Sequence, residues 1–293
     1  MRHIPVLRQE VLTALQLSPN ATVVDGTLGD AGHAEIILAA TAPRGRLIGI
    51  DADPEAILRS KHYLAEYGSR VAFVRESFRN IQAVVEDVLN EKVDAVLLDL
   101  GWSTPQFHER GRGFSFEGDE PLDMRFDAGL SGTETAADIL ATRSPQELAV
   151  LFSRYADEKN AMNIARAIVG ERHKNPIATT QDLVRVIMRV TRGPRGKIHP
   201  ATRVFQALRI AANDEFGALQ EGLLGAINIL APGGRLAVIT FHSGEDRIVK
   251  RCFSIHPDVN VITKKPIEPT RDEVLENPRA RSAKVRVVEK KRV

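Results

Sequence analysis

Three aspartates, Asp25, Asp51 and Asp99, each end a short apolar run that contains β-branched residues. Such runs are typical of buried parallel strands, whose carboxyl ends meet at one edge of a sheet. We therefore expect the three carboxylates to lie close together. Packing alone does not explain them, because burying an acid is costly unless it has a partner. The pattern indicates a crevice whose ligand offers hydroxyl groups or positive charge.

The first of these acids opens a glycine-bearing turn in the sequence VVDGTLGDAGH, residues 23–33. A site for a dinucleotide or triphosphate surrounds the phosphates with backbone amides and keeps carboxylates away. Here Asp25 precedes Gly26, and the chain has no phosphate loop of the form GxxxxGKS or GxxxxGKT. A ligand with a ribose, no phosphate and a cationic end fits these residues better than a dinucleotide or a triphosphate does. S-adenosylmethionine has these properties, and Asp51 is placed to bind its ribose hydroxyls.

Other side chains limit which kinds of reaction and methyl acceptor are expected. Methyl transfer from a sulfonium is an in-line displacement that depends on positioning and desolvation and needs no metal ion. The eight histidines are scattered without metal-ligand spacing, so we expect no metal site. We interpret Phe241–Ser243 as structure or substrate lining, because no nucleophile elbow surrounds Ser243. Methylation at C5 of a pyrimidine needs a thiolate, and Cys252 lies in an amphipathic helical pattern, so an amine or oxygen acceptor is expected.

The elements that position these residues alternate between strand and helix in the first third of the chain, which is typical of a parallel sheet. Strands are predicted at 22–25, 46–51, 71–75, 94–100, 234–241 and 283–288, and helices at 32–40, 54–67 and 78–89.

Phe78 lies just after the third predicted strand. Its ring is placed either to pack on an adenine or to be an ordinary aromatic residue of the core.

The alternation stops after Gly101, and 132 residues, 102–233, separate the fourth strand from the next. One crossover needs about 30 residues, and an unstructured loop of the remaining length is implausible. Apolar residues at helical spacing follow a Thr179–Thr180 cap, among them Leu183 and Ile187. We expect an α/β fold in which a Rossmann-like sheet with helices on both faces is interrupted by an inserted helical subdomain. The insertion is predicted to span residues 105–203. The first part of the sheet domain then spans 1–104, and its second part, with the basic tail, spans 204–293.

The composition is that of an ordinary globular protein, with 43% hydrophobic residues and a net charge of +2. One cysteine excludes an internal disulfide, and no apolar run approaches the roughly 18 residues of a membrane span. These features predict a cytoplasmic protein that does not enter a membrane. The charge is uneven: residues 185–203 hold six Lys or Arg and no acid, and residues 264–293 hold ten against five acids. Both stretches are candidates for contact with nucleic acid, although charged stretches are usually solvated surface.

Nine segments together resemble one known family, and they span almost the whole chain in order. They are His3–Leu7, Asp25–His33, Leu97–Gly101, Arg112–Phe116, Pro121–Arg125, His199–Ile210, Ala231–Ser243, Glu245–Arg251 and Asn277–Arg286. The chain closely resembles the RsmH family, formerly MraW, of S-adenosylmethionine-dependent 16S ribosomal RNA cytosine-N4 methyltransferases. The resemblance implies a class I methyltransferase sheet with an inserted helical subdomain. It also implies methylation of the exocyclic N4 of a decoding-centre cytidine, with 16S rRNA in the small ribosomal subunit as partner; a homodimer stays open.

The resemblance also implies where the cofactor is bound. The family's S-adenosylmethionine contacts fall on Ala31, Gly32, His33, Asp51, Phe78, Asp99 and Gln106. This chain departs from the family at Ala31, where glycine is usual, and a backbone contact there should survive if φ is negative. It also has Trp102 where a small aliphatic residue is usual, and Gly244 where leucine is common.

The catalytic residue stays open at this point. The N4 lone pair of cytosine is delocalised into the ring, so an acceptor hydrogen-bonded to N4–H would assist the attack. Candidates are Asp99, Asp123 and the backbone carbonyls of residues 101–105. The sequence DLGW at 99–102 is similar to the DPP-aromatic loop of amino methyltransferases, in which the aromatic stacks on the base. Two other functions compete: methylation of a protein or small metabolite, and a non-catalytic ribosome-assembly factor.

Overall fold

A computed structural model describes residues 4–101, 111–126, 134–191 and 199–292 of the chain. The chain divides into two compact units. The first, called here the sheet unit, comprises Met1–Ser103 and Phe216–Val293. The second, called the helical unit, comprises Thr104–Glu215. The helical unit thus interrupts the sheet unit in sequence.

The sheet unit is organised around a seven-stranded sheet with the strand order β3-β2-β1-β4-β5-β7-β6. The strands are β1 (Thr22–Asp25), β2 (Arg46–Asp51), β3 (Val71–Arg75), β4 (Val93–Asp99), β5 (Leu230–Thr240), β6 (Val259–Val261) and β7 (Lys284–Lys290). β1 to β5 are parallel, and β7 pairs antiparallel with both β5 and β6. The strand order reverses between β1 and β4, which is where ligands bind in open α/β sheets.

The helices connect these strands or form the helical unit. They are α1 (Arg8–Leu15), α2 (Gly32–Ala40), α3 (Pro54–Tyr63), α4 (Ile81–Val88), α5 (Ala136–Thr142), α6 (Pro145–Ala156), α7 (Ala161–Arg172), α8 (Thr180–Val190), α9 (Thr202–Ala212), α10 (Glu215–Ile229), α11 (Ser243–Ile255) and α12 (Arg271–Glu276). Short 3₁₀ helices span Ala65–Arg70, Phe78–Asn80 and Pro278–Ser282.

Helices cover both faces of the sheet because successive strand residues point to opposite sides. Val23 and Leu47 belong to one core, together with apolar residues of α1, α2 and α3. Val24 and Ile48 belong to the other, together with residues of α4, α10 and α11. The predicted α/β fold with helices on both faces is confirmed.

The helical unit has its own core, in which α6, α7, α8 and α9 contribute buried residues such as Phe152 and Leu183. Helices α5, α6 and α8 begin at capping boxes; at α8, Thr179 accepts the N–H of Asp182, whose carboxylate in turn accepts the N–H of Thr179. The unit extends to Glu215, beyond the insertion limit of 203 given by the sequence, because α9 packs into this core. Within the described ranges, no helix has the length and apolar character needed to cross a membrane.

Some elements differ from the sequence-based expectation. The helix predicted at 54–67 ends at Tyr63 and is followed by the 3₁₀ helix Ala65–Arg70, and the helix predicted at 78–89 begins with the 3₁₀ helix Phe78–Asn80. Residues 201–230 include two helices, α9 and α10, because the chain turns at Asp214, which has a φ of 46°. β6 was not predicted, since three residues are too few to show an alternating pattern.

Candidate functional site

The loop after β1 is attached to the strands on both sides. The Gly26 N–H donates to Leu97 O of β4 (2.9 Å), and the Leu28 N–H donates to Ile50 O of β2 (3.0 Å). Gly26 has no room for a side chain, because a Cβ there would lie 2.5 Å from Leu98 Cδ2. These contacts hold the loop across the carboxyl ends of the three central strands.

Asp51 closes this loop from the end of β2. Its Oδ2 accepts the Gly29 N–H (2.8 Å), and its Oδ1 accepts the Asp53 N–H (2.8 Å). Each carboxylate oxygen keeps a further lone pair, so the side chain can still accept bonds from a ligand's hydroxyl groups. Burial raises the pKa of Asp51 to about 6, and the two backbone donors oppose that rise.

Asp25 and Asp99 lie beside each other at the ends of β1 and β4. Thr27 links them, since its N–H donates to Asp25 Oδ1 (3.1 Å) and its Oγ1 accepts the Asp99 N–H (2.6 Å). Burial raises the pKa of Asp25 to about 6, and the charges of Asp99 and Asp51 add to the rise while His33 opposes it. The three strand-end acids are therefore close enough to repel one another, as the sequence predicts.

Asp99 also faces His33. The His33 Nε2 lies 2.9 Å from Val6 O, and because a carbonyl only accepts, Nε2 is the protonated nitrogen. The unprotonated Nδ1 then lies 3.5 Å from Asp99 Oδ2. Burial lowers the pKa of His33, whereas burial and then the charge of Glu245 raise the pKa of Asp99 to about 7. Near neutral pH a proton on Asp99 Oδ2 would therefore point to His33 and leave Oδ1 as an acceptor.

Ala31 and Gly32 form the start of α2. Ala31 has a φ of 60° and a ψ of 24°, which is the left-handed conformation that favours glycine. The negative φ that was the condition for a backbone contact at Ala31 is therefore absent, and Ala31 holds a strained backbone in a fully buried position. Gly32 must be small for a different reason: a Cβ there would lie 3.0 Å from the ring of Pro5.

Phe78 lies next to the same loop. Its Cβ is 3.4 Å from the position of a Cβ on Gly26, and its ring atom Cδ2 is 2.6 Å from that of a Cβ on Gly222. Two glycines thus make room for this half-buried ring beside the core of α4 and α10. Six of the seven residues assigned to the cofactor by resemblance are placed at the carboxyl edge of the sheet. The seventh, Gln106, lies outside the described residues, as does Trp102.

The structure adds residues that the sequence reasoning did not assign to the site. Thr27 bridges two of the acids. Glu245 is the third residue of α11, and its Oε2 accepts the N–H of Phe241 (2.8 Å) and of His242 (3.3 Å). The charge of Glu245 raises the pKa of Asp99, so α11 starts near the end of β4. A glutamate three residues after a cap position is a recognised helix-start pattern, and that pattern is the sequence signal for Glu245.

Asp123, the other candidate acceptor, belongs to the helical unit. Its Oδ1 and Oδ2 accept bonds from Arg125 Nε (2.7 Å) and Nη2 (2.8 Å). These bonds hold the pKa of Asp123 below its usual value. A carboxylate stabilised in this way is a weak base. Among the residues that the structure describes, no three His, Cys, Asp or Glu side chains are grouped so as to hold a metal ion.

The chain is similar to known proteins over nearly its whole length. Residues 1–291 match the MraW methylase family. The chain is 44% identical to the ribosomal RNA small subunit methyltransferase H of Heliobacterium mobile, over 98% of each chain. It is 45% identical to the protein of that name from a Geobacter species, again over 98% of each chain. An rRNA methylase structure from Streptococcus thermophilus covers 100% of this chain and 99% of its own, with 10% identity and a TM-score of 0.46.

Proposed function

The chain belongs to the MraW methylase family, and we propose that it transfers a methyl group from S-adenosylmethionine to the exocyclic N4 of a decoding-centre cytidine in 16S rRNA, in the cytoplasm. The observation that carries the proposal is the group of three acids at the ends of β1, β2 and β4, of which Asp25 is buried and Asp51 and Asp99 are partly buried. The relatives named above, which match over nearly their full length, methylate small-subunit rRNA by their names.

The residues present fit S-adenosylmethionine. Asp51 has free acceptor capacity for the two ribose hydroxyls, and the partly buried ring of Phe78 offers an apolar face for the adenine. The acids at Asp25 and Asp99 favour a cationic ligand and disfavour phosphates. When bound, S-adenosylmethionine supplies a methyl group on a positively charged sulfur, which becomes a neutral thioether after transfer. The loop residues Ala31, Gly32 and His33, with Gln106, are the further contacts that we propose.

Asp99 is the better of the two carboxylate candidates for the N4 proton. Its pKa of about 7 suits proton transfer near neutral pH, and its buried Oδ1 has no hydrogen-bond partner within the described part of the chain. Asp123 has both oxygens bonded to Arg125 and a lowered pKa. We therefore propose that Asp99 Oδ1 accepts the N4–H, which turns the lone pair toward the methyl group. The methyl group would bond to N4 as its bond to sulfur breaks, and the N4 proton would pass to Asp99 Oδ1, which must be in its ionised form to accept it.

RNA phosphates need a positively charged surface away from these acids. Within the basic stretch 185–203, Arg185 pairs with Asp182, and Arg189 pairs with Glu171 at 2.7 Å. The charge of each of these two arginines is thus partly neutralised. The acid that pairs with Arg185 is in the same helix, and the acid that pairs with Arg189 is distant from the stretch. Arg192, Arg195 and Lys197, together with the insertion proposed for 105–203, are therefore our candidates for substrate recognition; all three basic residues lie outside the described residues.

The salt dependence of RNA binding tests this candidate surface. Each phosphate contact to single-stranded RNA contributes roughly −0.7 to the slope of log K against log salt. Replacing Arg192, Arg195 and Lys197 by alanine should weaken RNA binding and reduce the slope by up to about 2, with unchanged cofactor affinity. A triple variant with the parent slope and affinity would show that the RNA is bound elsewhere.

The reaction itself is tested by incubating small ribosomal subunits that lack the modification with the protein and S-adenosylmethionine. Nucleosides from the 16S rRNA are then separated against N4-methylcytidine and C5-methylcytidine standards and identified by mass. We expect N4-methylcytidine at a single position. Appearance of the C5 isomer, or methylation of ribosomal protein with unmodified rRNA, would reject the proposal and favour the competing acceptors.

A further inference from the structure

Among the buried polar atoms that make no hydrogen bond within the described residues, two follow neighbouring parallel strands: Asp99 Oδ1, at the end of β4, and His242 Nε2, just after β5. Buried polar atoms in folded proteins are nearly always paired, and an unpaired one calls for a specific explanation such as a ligand. Because both atoms occur at the same edge of neighbouring strands, one ligand can explain both.

The strand register places the two residues near each other. Asp99 is paired with Ile239 of β5, and the Leu100 N–H donates to Ile239 O (2.9 Å). His242 follows Ile239 by three residues, so its Cα lies within about 10 Å of the Asp99 level along the strand. The carboxylate of Glu245, which lies 3.1 Å from the His242 ring, acts on Asp99 through its charge.

The chemical character of the His242 atom follows from its cap. His242 Nδ1 accepts the N–H of Glu245 (3.3 Å) at the start of α11, so Nδ1 carries no proton. The neutral ring therefore has its proton on Nε2, which makes that atom a donor. Glu245 Oε1 is 3.1 Å from Nε2 but outside hydrogen-bonding geometry, so it does not satisfy the donor.

The surroundings hold the His242 ring in this orientation. The Phe216 ring packs beside it, with centroids 6.0 Å apart and planes inclined at 38°. Gly244 allows this packing, because a Cβ at that position would lie 2.6 Å from Phe216 Cζ. Phe216 thus occupies the space that a larger side chain at position 244 needs.

We propose that Asp99 Oδ1 and His242 Nε2–H together bind the Watson–Crick edge of the target base, which makes His242 a specificity-determining residue. This inference rests on the proposed function. Cytosine presents the N4–H donor beside the N3 acceptor, and the protein presents an acceptor beside a donor. Uracil presents the O4 acceptor beside the N3–H donor, which is the reverse order. Asp99 Oδ1 would then face another acceptor, and His242 Nε2–H would face another donor. Enzymes that act on a base select it through such edge contacts.

Two substitutions separate recognition from helix capping. His242→Asn keeps an oxygen where Nδ1 accepts the Glu245 N–H, but removes the distant donor. His242→Gln keeps an N–H near the position of Nε2, but is a poorer cap. If His242 reads the base, His242→Asn should lower kcat/KM for small subunits about 10- to 100-fold, the range of one lost edge contact, while His242→Gln should lose far less. If His242 is only a cap, the order is reversed, and the inference is wrong.

Calorimetric titration with S-adenosylmethionine serves as the control, because both variants should bind it as the parent does. A second test uses the parent and His242→Asn on subunits that carry 3-deazacytidine, which lacks the N3 acceptor, at the target position. We expect His242→Asn to cause no additional loss on this substrate. An equal loss on both substrates would overturn the inference. Failure of the parent to form N4-methylcytidine on normal subunits would instead reject the proposed function.

Discussion

Removing the charge of Asp99 should stabilise the cofactor-free protein at high pH but not at low pH. The pKa of this carboxyl is about 7 in the folded protein, raised from 3.8 by burial and by Glu245. The folded state therefore holds the proton more tightly than the unfolded state, so the contribution of Asp99 to stability is largest below pH 4. It is lost as the pH rises through about 7.

The size of the effect follows from this difference. One pKa unit corresponds to 1.36 kcal/mol, and between pH 5 and pH 8 the unfolded carboxyl is ionised throughout while the folded one loses its proton. The parent should thus lose about 3 kcal/mol of unfolding free energy through Asp99 over this range. Asp99→Asn, which has nearly the same shape and no titrating proton, should not show this loss.

Urea unfolding followed by circular dichroism at pH 5, 6, 7 and 8 measures the effect. Asp25 and Asp51, whose pKa values are also raised to about 6, contribute in the same direction to both proteins. The difference between parent and Asp99→Asn therefore reports the titration of Asp99 together with its effect on the pKa of Asp25, which acts in the same direction. Asp87→Asn, which removes an exposed carboxylate of α4, is the matched control and should stay parallel to the parent. A constant difference between Asp99→Asn and the parent across the four pH values would refute the reasoning.

Three further results are expected. Ala31→Gly should raise the unfolding free energy by about 1 kcal/mol in thermal or urea unfolding, since it relieves a φ of 60°. The control Ala39→Gly, at an exposed position in the same helix, should lower the unfolding free energy. Equal effects of the two substitutions would show that Ala31 is not strained. Asp51→Ala should weaken S-adenosylmethionine binding about 10- to 150-fold by calorimetry, because charge-assisted bonds to the ribose are lost, and unchanged affinity would reject the site. Cys252→Ala should keep substantial methyltransferase activity, since burial raises the pKa of the thiol and no thiolate attack is invoked; loss of turnover with normal cofactor binding would count against this mechanism.

The structure bears differently on the two positions, Gly244 and Ala31, at which the resemblance implies a departure from the family. At Gly244 the ring of Phe216 fills the adjacent space. Ala31 is not compensated by a change of backbone, since the left-handed conformation is retained despite the added Cβ. The alanine therefore carries a conformational cost that a glycine would not, and the loop is held in place by its bonds to β2 and β4.

Much of the architecture was determined by the sequence alone, because strand and helix patterns depend on residues a few positions apart. The apolar runs ending at Asp25, Asp51 and Asp99 predicted three strands and the edge at which their acids meet. The length of chain between β4 and β5 predicted an insertion, and the cap at Thr179 predicted the start of α8. These features follow from local backbone preferences and from the alternation of buried side chains.

Only the tertiary structure decided the properties that depend on residues distant in sequence. The pKa of Asp99 is set by burial and by Glu245, which reaches it because β5 pairs with β4. Asp99 is preferred to Asp123 as the acceptor of the N4 proton because Arg125 binds both oxygens of Asp123. The proton on His242 Nε2 depends on the cap of α11, in which Nδ1 accepts a hydrogen bond. Burial, charge and hydrogen-bond partners are sums over all neighbours in space, and no pattern along the chain specifies them.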